Sequence, residues 1–266
     1  MVKTVIIDDI QDVLQMITEQ EYRPDLDRNR SLYLYRGMTD VAFKLGTSLE
    51  RNCKEAKKDL EPCILTNFTK YGALEDPLIE KSVWRQMILG QHHGLPTRLL
   101  DWTHSSLIAL HFALSEHNLD DMEKHDCLIW RIDMKELHSM LPGRYKKVLS
   151  DNQTSVFTVN MLNEVTSSLD QYDEDMQDKA MAVIEPPSID PRIVNQYSFF
   201  AIVPNDITDI EDFFDKCTNN TVKYVIRKEL RWRIRDMLDQ QNISERMVYP
   251  GLDGLSKWLG RHYYVK

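Results

Sequence analysis

Apolar and polar positions along the chain switch repeatedly between a period of 3.6 and a period of 2. Helical spacing runs through Ile10–Tyr22, through "EPCILTNFTKYGAL" and through "PLIEKSVWRQMILGQHHG", which Gly90 or Gly94 stops. "HSSLIALHFALSEH" is apolar around most of its circumference and predicts a central helix. "SLYLYRG" alternates and is rich in Tyr and Leu, so it predicts a strand ending at Gly37. "CLIWRID" predicts a buried strand, and "AMAVIEPP" and "SFFAIVPN" predict two more that bracket "SIDPRIVNQY". "KELHSML" predicts a short helix closed by Pro142 and Gly143. "VKYVIRKE" begins as a strand and runs into the helix "RWRIRDMLDQQN", and "GLDGLSKWLGRHYY" predicts a short terminal helix. There is no internal repeat and no low-complexity linker. The mixed order of strands and helices gives an α+β class, a single domain with helical insertions. The expected organisation is an N-terminal helical extension at 1–30, a main domain at 31–265 and a mobile acidic insertion at about 162–178.

Composition narrows the function classes. A chain of 266 residues, 42% hydrophobic and 28% charged, is ordinary for a globular protein. No apolar run approaches the roughly 20 residues that span a bilayer, and "MVKTVIIDDIQDVL" does not read as a signal peptide. A cytoplasmic location without membrane contact is therefore expected. Cys53, Cys63, Cys127 and Cys217 show no CxxC spacing and read as reduced thiols, with neither a zinc site nor a disulfide framework. The net charge of −9 excludes a basic field over the whole protein. Acids crowd Glu164–Asp178, whereas Val225–Arg235 is basic, so nucleic acid stays open as a local target.

Three segments hold candidate chemistry. In Tyr35-Arg36-Gly37 an arginine ends an apolar strand. Its guanidinium could clamp a phosphate or ribose hydroxyls where Gly37 lets a ligand approach the backbone, or it could pair with a buried carboxylate. The stretch "GQHHGLPTRLLDWT" concentrates His92, His93, Thr97, Arg98, Asp101, Trp102 and Thr103 between two helices. Histidine suits proton transfer near neutral pH, Asp101 could orient a histidine or pair with Arg98, and Trp102 could wall a ring. Asp101 or Thr103 could instead cap the following helix. In the third segment Arg192 and Gln196 stand four apart, and Glu185 ends a strand, where a carboxylate can bind ribose or stabilise a developing cation. His104 and His111 stand two helical turns apart without an HExxH pattern, so no metal is expected. There is no G-x-S-x-G elbow, P-loop or GxGxxG, which removes hydrolase, P-loop and Rossmann readings.

Together "YRG" at Tyr35–Gly37, "GQHHGLPTRLLDWTHSSLIALHFAL" at Gly90–Leu114, "RIVNQYSFF" at Arg192–Phe200 and "VYPGLDGLSKWL" at Val248–Leu259 resemble the successive signatures of the FRG domain family. Ser198 stands where many members have a glycine. The aromatic-Arg-Gly strand end is also similar to the first strand of arginine-type ADP-ribosyltransferases. That second likeness implies a small mixed or antiparallel sheet in an ADP-ribosyltransferase-like arrangement. It implies NAD as substrate, gripped by Tyr35, Arg36 and Gly37 with His92, Thr97, Arg98, Trp102 and Thr103. Catalysis would fall to Arg36, His93, Asp101 and Glu185 or Gln196. The later serine-threonine strand and paired-acid motif of those enzymes have no match here, which leaves the place of the acid open. The resemblance further implies a toxin or anti-phage effector with a macromolecular acceptor, protein or nucleic acid, and an inhibitory antitoxin. Two other readings stand beside it: an enzyme processing another nucleotide or a nucleic acid through His93 and Asp101, and a non-catalytic protein-binding module.

Overall fold

A computed structural model describes residues 1–266. Nine strands form: β1 (Lys3–Ile7), β2 (Tyr22–Arg23), β3 (Arg28–Asn29), β4 (Tyr33–Met38), β5 (Leu99–Thr103), β6 (Cys127–Asp133), β7 (Ala182–Ile184), β8 (Ser198–Ile202) and β9 (Val222–Ile226). Seven of them make one mixed sheet in the order β1-β9-β6-β4-β5-β8-β7, while β2 and β3 form a separate hairpin. Every neighbour in the large sheet is antiparallel except β1 and β9. The class is thus α+β, as the order of elements implies.

Alternation explains how the sheet sits in the core. Tyr33 and Tyr35 of β4 join Ile129 and Tyr224 under the helices Ile10–Thr18, Ser106–Ala113 and Arg231–Gln240. Leu34, between them, joins Leu100, Trp102, Trp130 and Phe214 on the opposite face. A third apolar cluster, around Trp84, Tyr145, Phe157 and Tyr172, covers the β7–β8 end. The helix Ser106–Ala113 starts where Ser105 Oγ accepts the Ile108 N–H at 3.3 Å, so neither Asp101 nor Thr103 is its cap.

Three expectations need correction. Residues 1–30 are not a helical extension, because β1 pairs with β9 from Lys3↔Val222 to Ile7↔Ile226 and buries Ile7. The acidic stretch at 162–178 is built into the core rather than inserted as a mobile segment. Its helix Leu169–Met176 buries Tyr172, whose hydroxyl donates to Ile202 O at 2.8 Å and accepts the Ala182 N–H at 2.9 Å. "LLDWT", in a stretch where the pattern puts only two flanking helices, is itself a strand, β5. Leu99 and Leu100 are buried in different clusters, so the segment is covered on both faces and lacks the alternation that betrays a half-exposed strand.

The feature that positions the site is a fork. β4 pairs with β6 over six positions from Tyr33↔Asp133 to Met38↔Leu128, and β5 with β8 over five. Between β4 and β5 only Tyr35↔Thr103 is paired. The two strands diverge beyond that rung, at Arg36 and Asp101.

Candidate active site

The fork opens into a cleft of about 1150 Å³. Its floor is Tyr35, Arg36 and Gly37 from β4 and Asp101, Trp102 and Thr103 from β5. Gln91 and His92 enter from the last turn of the helix Val83–His92. A Schellman closure fixes that turn: Leu95 N–H donates to Gly90 O at 2.8 Å, Gly94 N–H to Gln91 O at 3.1 Å, and Gly94 sits at φ +81°. The far wall holds Arg192 from the helix Pro191–Asn195, then Gln196, Ser198 and Tyr249.

Arg36 spans the fork. Its Nη1 donates to the Asp101 carbonyl at 2.8 Å and lies 3.4 Å from Asp101 Oδ2. In a continuous ladder that carbonyl would face a backbone N–H of β4. The Arg36 Nε is buried and has no hydrogen-bond partner. Burial pulls the guanidinium below its ordinary pKa, and Asp101 only offsets part of this. An arginine so placed remains a cation, with desolvated donors that an anion can satisfy.

Asp101 is held by a relay from the helix turn. Thr97 Oγ1 donates to Gln91 Oε1 at 2.6 Å, which turns the Gln91 amide nitrogen toward both Asp101 oxygens, at 3.0 and 2.9 Å. Thr97 is itself buried, and Ser48 Oγ accepts its N–H at 3.0 Å. Thr97 therefore acts from behind the cleft and does not line it. Thr103 Oγ1 donates to Gln196 O at 2.7 Å, and the Gln196 amide donates to Val248 O at 3.3 Å. These bonds tie the far wall to β5 and to the C-terminal segment.

His92, not His93, is the histidine of the cleft. Its Nε2 lies 2.8 Å from Asp190 Oδ2 and 2.8 Å from Arg192 Nη2. It can donate to the carboxylate or accept from the guanidinium, one at a time. Burial opposes ionisation of Asp190, yet the Arg192 N–H bond at 2.7 Å and the His92 contact hold its carboxyl below the ordinary range.

Besides Thr97, four expected residues are placed elsewhere or act otherwise. His93 caps the helix, is exposed, and meets the cleft only through an edge contact with the His92 ring at 5.2 Å. Arg98 is buried away from the cleft in an ion network, where its Nη1 reaches Asp173 Oδ1 at 2.6 Å and its Nε donates to Glu61 Oε1 at 2.8 Å. It pairs with these acids and not with Asp101. Glu185 is exposed and lines a separate pocket of about 400 Å³ with Lys81, Arg85 and Asn163. Gly37 is not spare room for a ligand. A Cβ there would lie 2.0 Å from Ala109 O and 2.5 Å from Ala113 N, so glycine is needed for the close approach of the central helix to β4.

The residues that sequence reading passes over are Gln91, Asp190, Arg51 and Tyr249. Gln91 lies inside the long motif, where the neighbouring histidines mask it. Asp190 and Tyr249 lie in the quoted segments "SIDPRIVNQY" and "VYPGLDGLSKWL" but are overshadowed by Arg192 and the apolar pattern, and only Arg51 lies outside every quoted segment. No group of three or more His, Cys, Asp or Glu side chains is arranged to hold a metal ion.

Residues 31–122 match the model of the FRG domain. The match takes in β4, the fork, the Val83–His92 turn and the central helix, and it ends before the Arg192–Phe200 and Val248–Leu259 segments. No curated protein and no solved structure matches the chain.

Proposed function

We propose, from the match of residues 31–122 to the FRG domain and from the geometry of the forked cleft, that the chain binds NAD there and transfers ADP-ribose to a macromolecule. One observation supports this above the others: Arg36 bridges the fork through Nη1 alone and still lines the cleft with a partly exposed guanidinium, whose Nη2 has no partner in the protein and can meet a phosphate oxygen. The cleft volume suits a dinucleotide, and the partly exposed Phe112 and Tyr249 offer aromatic surface to its rings.

The proposed reaction breaks the bond between the ribose C1′ and the nicotinamide nitrogen. The bonding pair leaves with nicotinamide, and positive charge develops on the sugar. Asp101, fixed by Gln91, supplies negative charge beside it. An acceptor nucleophile then bonds to C1′ and loses its proton to a base. His92, oriented by Asp190, is the candidate. Gln196 positions the far wall, and Glu185 has no part in this scheme.

Reaction with NAD labelled in the adenylate half, in cell lysate, tests the proposal. Label should pass to a macromolecule and nicotinamide should be released in equal amount. Absence of both contradicts it. Turnover of another nucleotide without NAD would favour the second enzymatic reading, now through His92 because His93 is outside the cleft. No turnover at all, with a partner bound, would favour the module.

The setting follows from the same reading. No helix is long and apolar enough to cross a membrane. A cytoplasmic toxin or anti-phage effector, held in check by an antitoxin protein, suits an enzyme that consumes NAD and marks host macromolecules. Growth arrest on expression, relieved by Arg36→Lys, is the expected cellular result.

A further inference from the structure

The cleft rim holds a cation that the chemistry above leaves unused. Four Lys or Arg side chains line the cleft: Arg36, Lys44, Arg51 and Arg192. Arg36 has Asp101, Lys44 lies 3.9 Å from Asp209, and Arg192 lies 3.5 Å from Asp190. Arg51 has no carboxylate within 4.0 Å, the only one of the four without, and its Nη1 donates to a carbonyl, Gly46 O, at 2.6 Å. It is exposed, so its remaining donors are available.

Its location is fixed by the floor of the site. Arg51 sits on the short helix Ser48–Cys53. Leu49 N–H donates to Thr97 O at 3.0 Å, and Ser48 Oγ exchanges hydrogen bonds with the Thr97 backbone. Thr97 also orients Gln91, so the segment that presents Arg51 is joined to the relay that sets Asp101. The positive charge of Arg51 is felt at Arg36, where it opposes protonation. Two guanidinium groups thus face one space, one of them anchored in the fork and the other on the rim. Like charges lining one cleft repel each other, and an anion of matching charge between them turns that repulsion into attraction.

We infer that Arg36 and Arg51 form a two-arginine clamp for the diphosphate bridge of a nucleoside diphosphate. The inference deepens the NAD reading and rests on it for the identity of the cleft, but it concerns binding alone. A single phosphate can engage one arginine well; two linked phosphates can engage both, each with charge-assisted bonds. The clamp would therefore set a preference for diphosphates over monophosphates. It would also leave the sugar beyond the diphosphate on the Asp101 side.

Calorimetry with ADP, AMP and adenosine tests this on the full chain. The wild type is expected to bind ADP about tenfold or more tightly than AMP. Arg51→Ala should weaken ADP about tenfold while leaving AMP within about twofold, and Arg51→Lys should recover part of the loss. Because the side chain is exposed, melting temperatures should stay unchanged, and they serve as the check on folding. If Arg51→Ala keeps the ADP preference, or the wild type does not distinguish ADP from AMP, the clamp is overturned. ADP contains no nicotinamide and is not consumed, so a chain that shows the preference without transferring ADP-ribose refutes the proposed reaction and not the clamp.

Discussion

At the scale of single residues, two arginines that look alike in sequence have opposite roles. Arg36 and Arg98 each follow apolar or small neighbours and each could serve a ligand. Arg98 is enclosed by Glu61 and Asp173, which lie 37 and 75 positions away, so no local pattern reveals its partners. Removing one partner would leave a buried charge unpaired. Glu61→Ala is therefore expected to cost about 3–5 kcal/mol in urea unfolding. An unchanged midpoint would contradict the structural role. Thr97 makes the complementary case. Thr97→Val keeps the shape but frees the Gln91 amide, so Asp101 loses its two amide bonds. The expected result is a fall in kcat of about tenfold with little change in KM, since the ligand grip proposed for Arg36 is untouched. The long motif in sequence did flag Asp101, Trp102, Thr103 and His92 as one cluster, and the cleft contains all four. The assignment of His93 failed because a helix end decides which of two adjacent histidines turns inward, and that depends on the closure at Gly94.

At the scale of elements, the strands with clear alternation or strong apolar runs were legible. β4, β6, β8 and β9 and the helices Ser106–Ala113 and Leu252–His262 fall where the pattern puts them. β5 did not announce itself, because a strand buried on both faces shows no period of 2. β1 was hidden for a different reason: five residues with one buried side chain give little pattern, and its partner β9 is more than two hundred positions away. The fork itself is a failure of pairing, and a sequence holds no mark for a missing rung. The tight contact between β4 and the central helix yields a direct test. Gly37→Ala would force a Cβ against two backbone atoms of the helix, which cannot yield as a side chain can. A loss of at least about 1–3 kcal/mol in thermal or urea unfolding is expected. A variant as stable as the wild type would mean that the helix does not pack as described.

At the scale of the whole molecule, buried histidines link stability to pH. Burial, with the charge of Arg235 adding to it, depresses His111 to about 3, and burial depresses His138 to about 4. His138 has both ring nitrogens occupied, Nδ1 at 2.8 Å from Ser155 O and Nε2 accepting the Val183 N–H at 2.9 Å, so it is neutral in the fold. The unfolded chain binds these protons near the ordinary histidine value of about 6.5 and the folded chain does not, so stability falls as pH drops below that value. The loss should continue to about 4 for His138 and about 3 for His111. Melting temperature is expected to decline steadily between pH 6.5 and 4.5, a range set by the two shifts; a flat profile would contradict the buried neutral state of both. The cleft lies between elements of the segment that matches the FRG domain, residues 31–122, and walls supplied by Arg192–Gln196 and Tyr249. The central claim is that Arg36, standing in the fork, grips the phosphates of NAD. Isothermal calorimetry of NAD against the wild type and Arg36→Lys addresses it most directly, because lysine keeps the charge but loses the second face of the guanidinium fork. The account expects saturable NAD binding by the wild type, weakened about tenfold or more by Arg36→Lys at an unchanged melting temperature. No NAD binding by the wild type, or equal binding by the two, would contradict it.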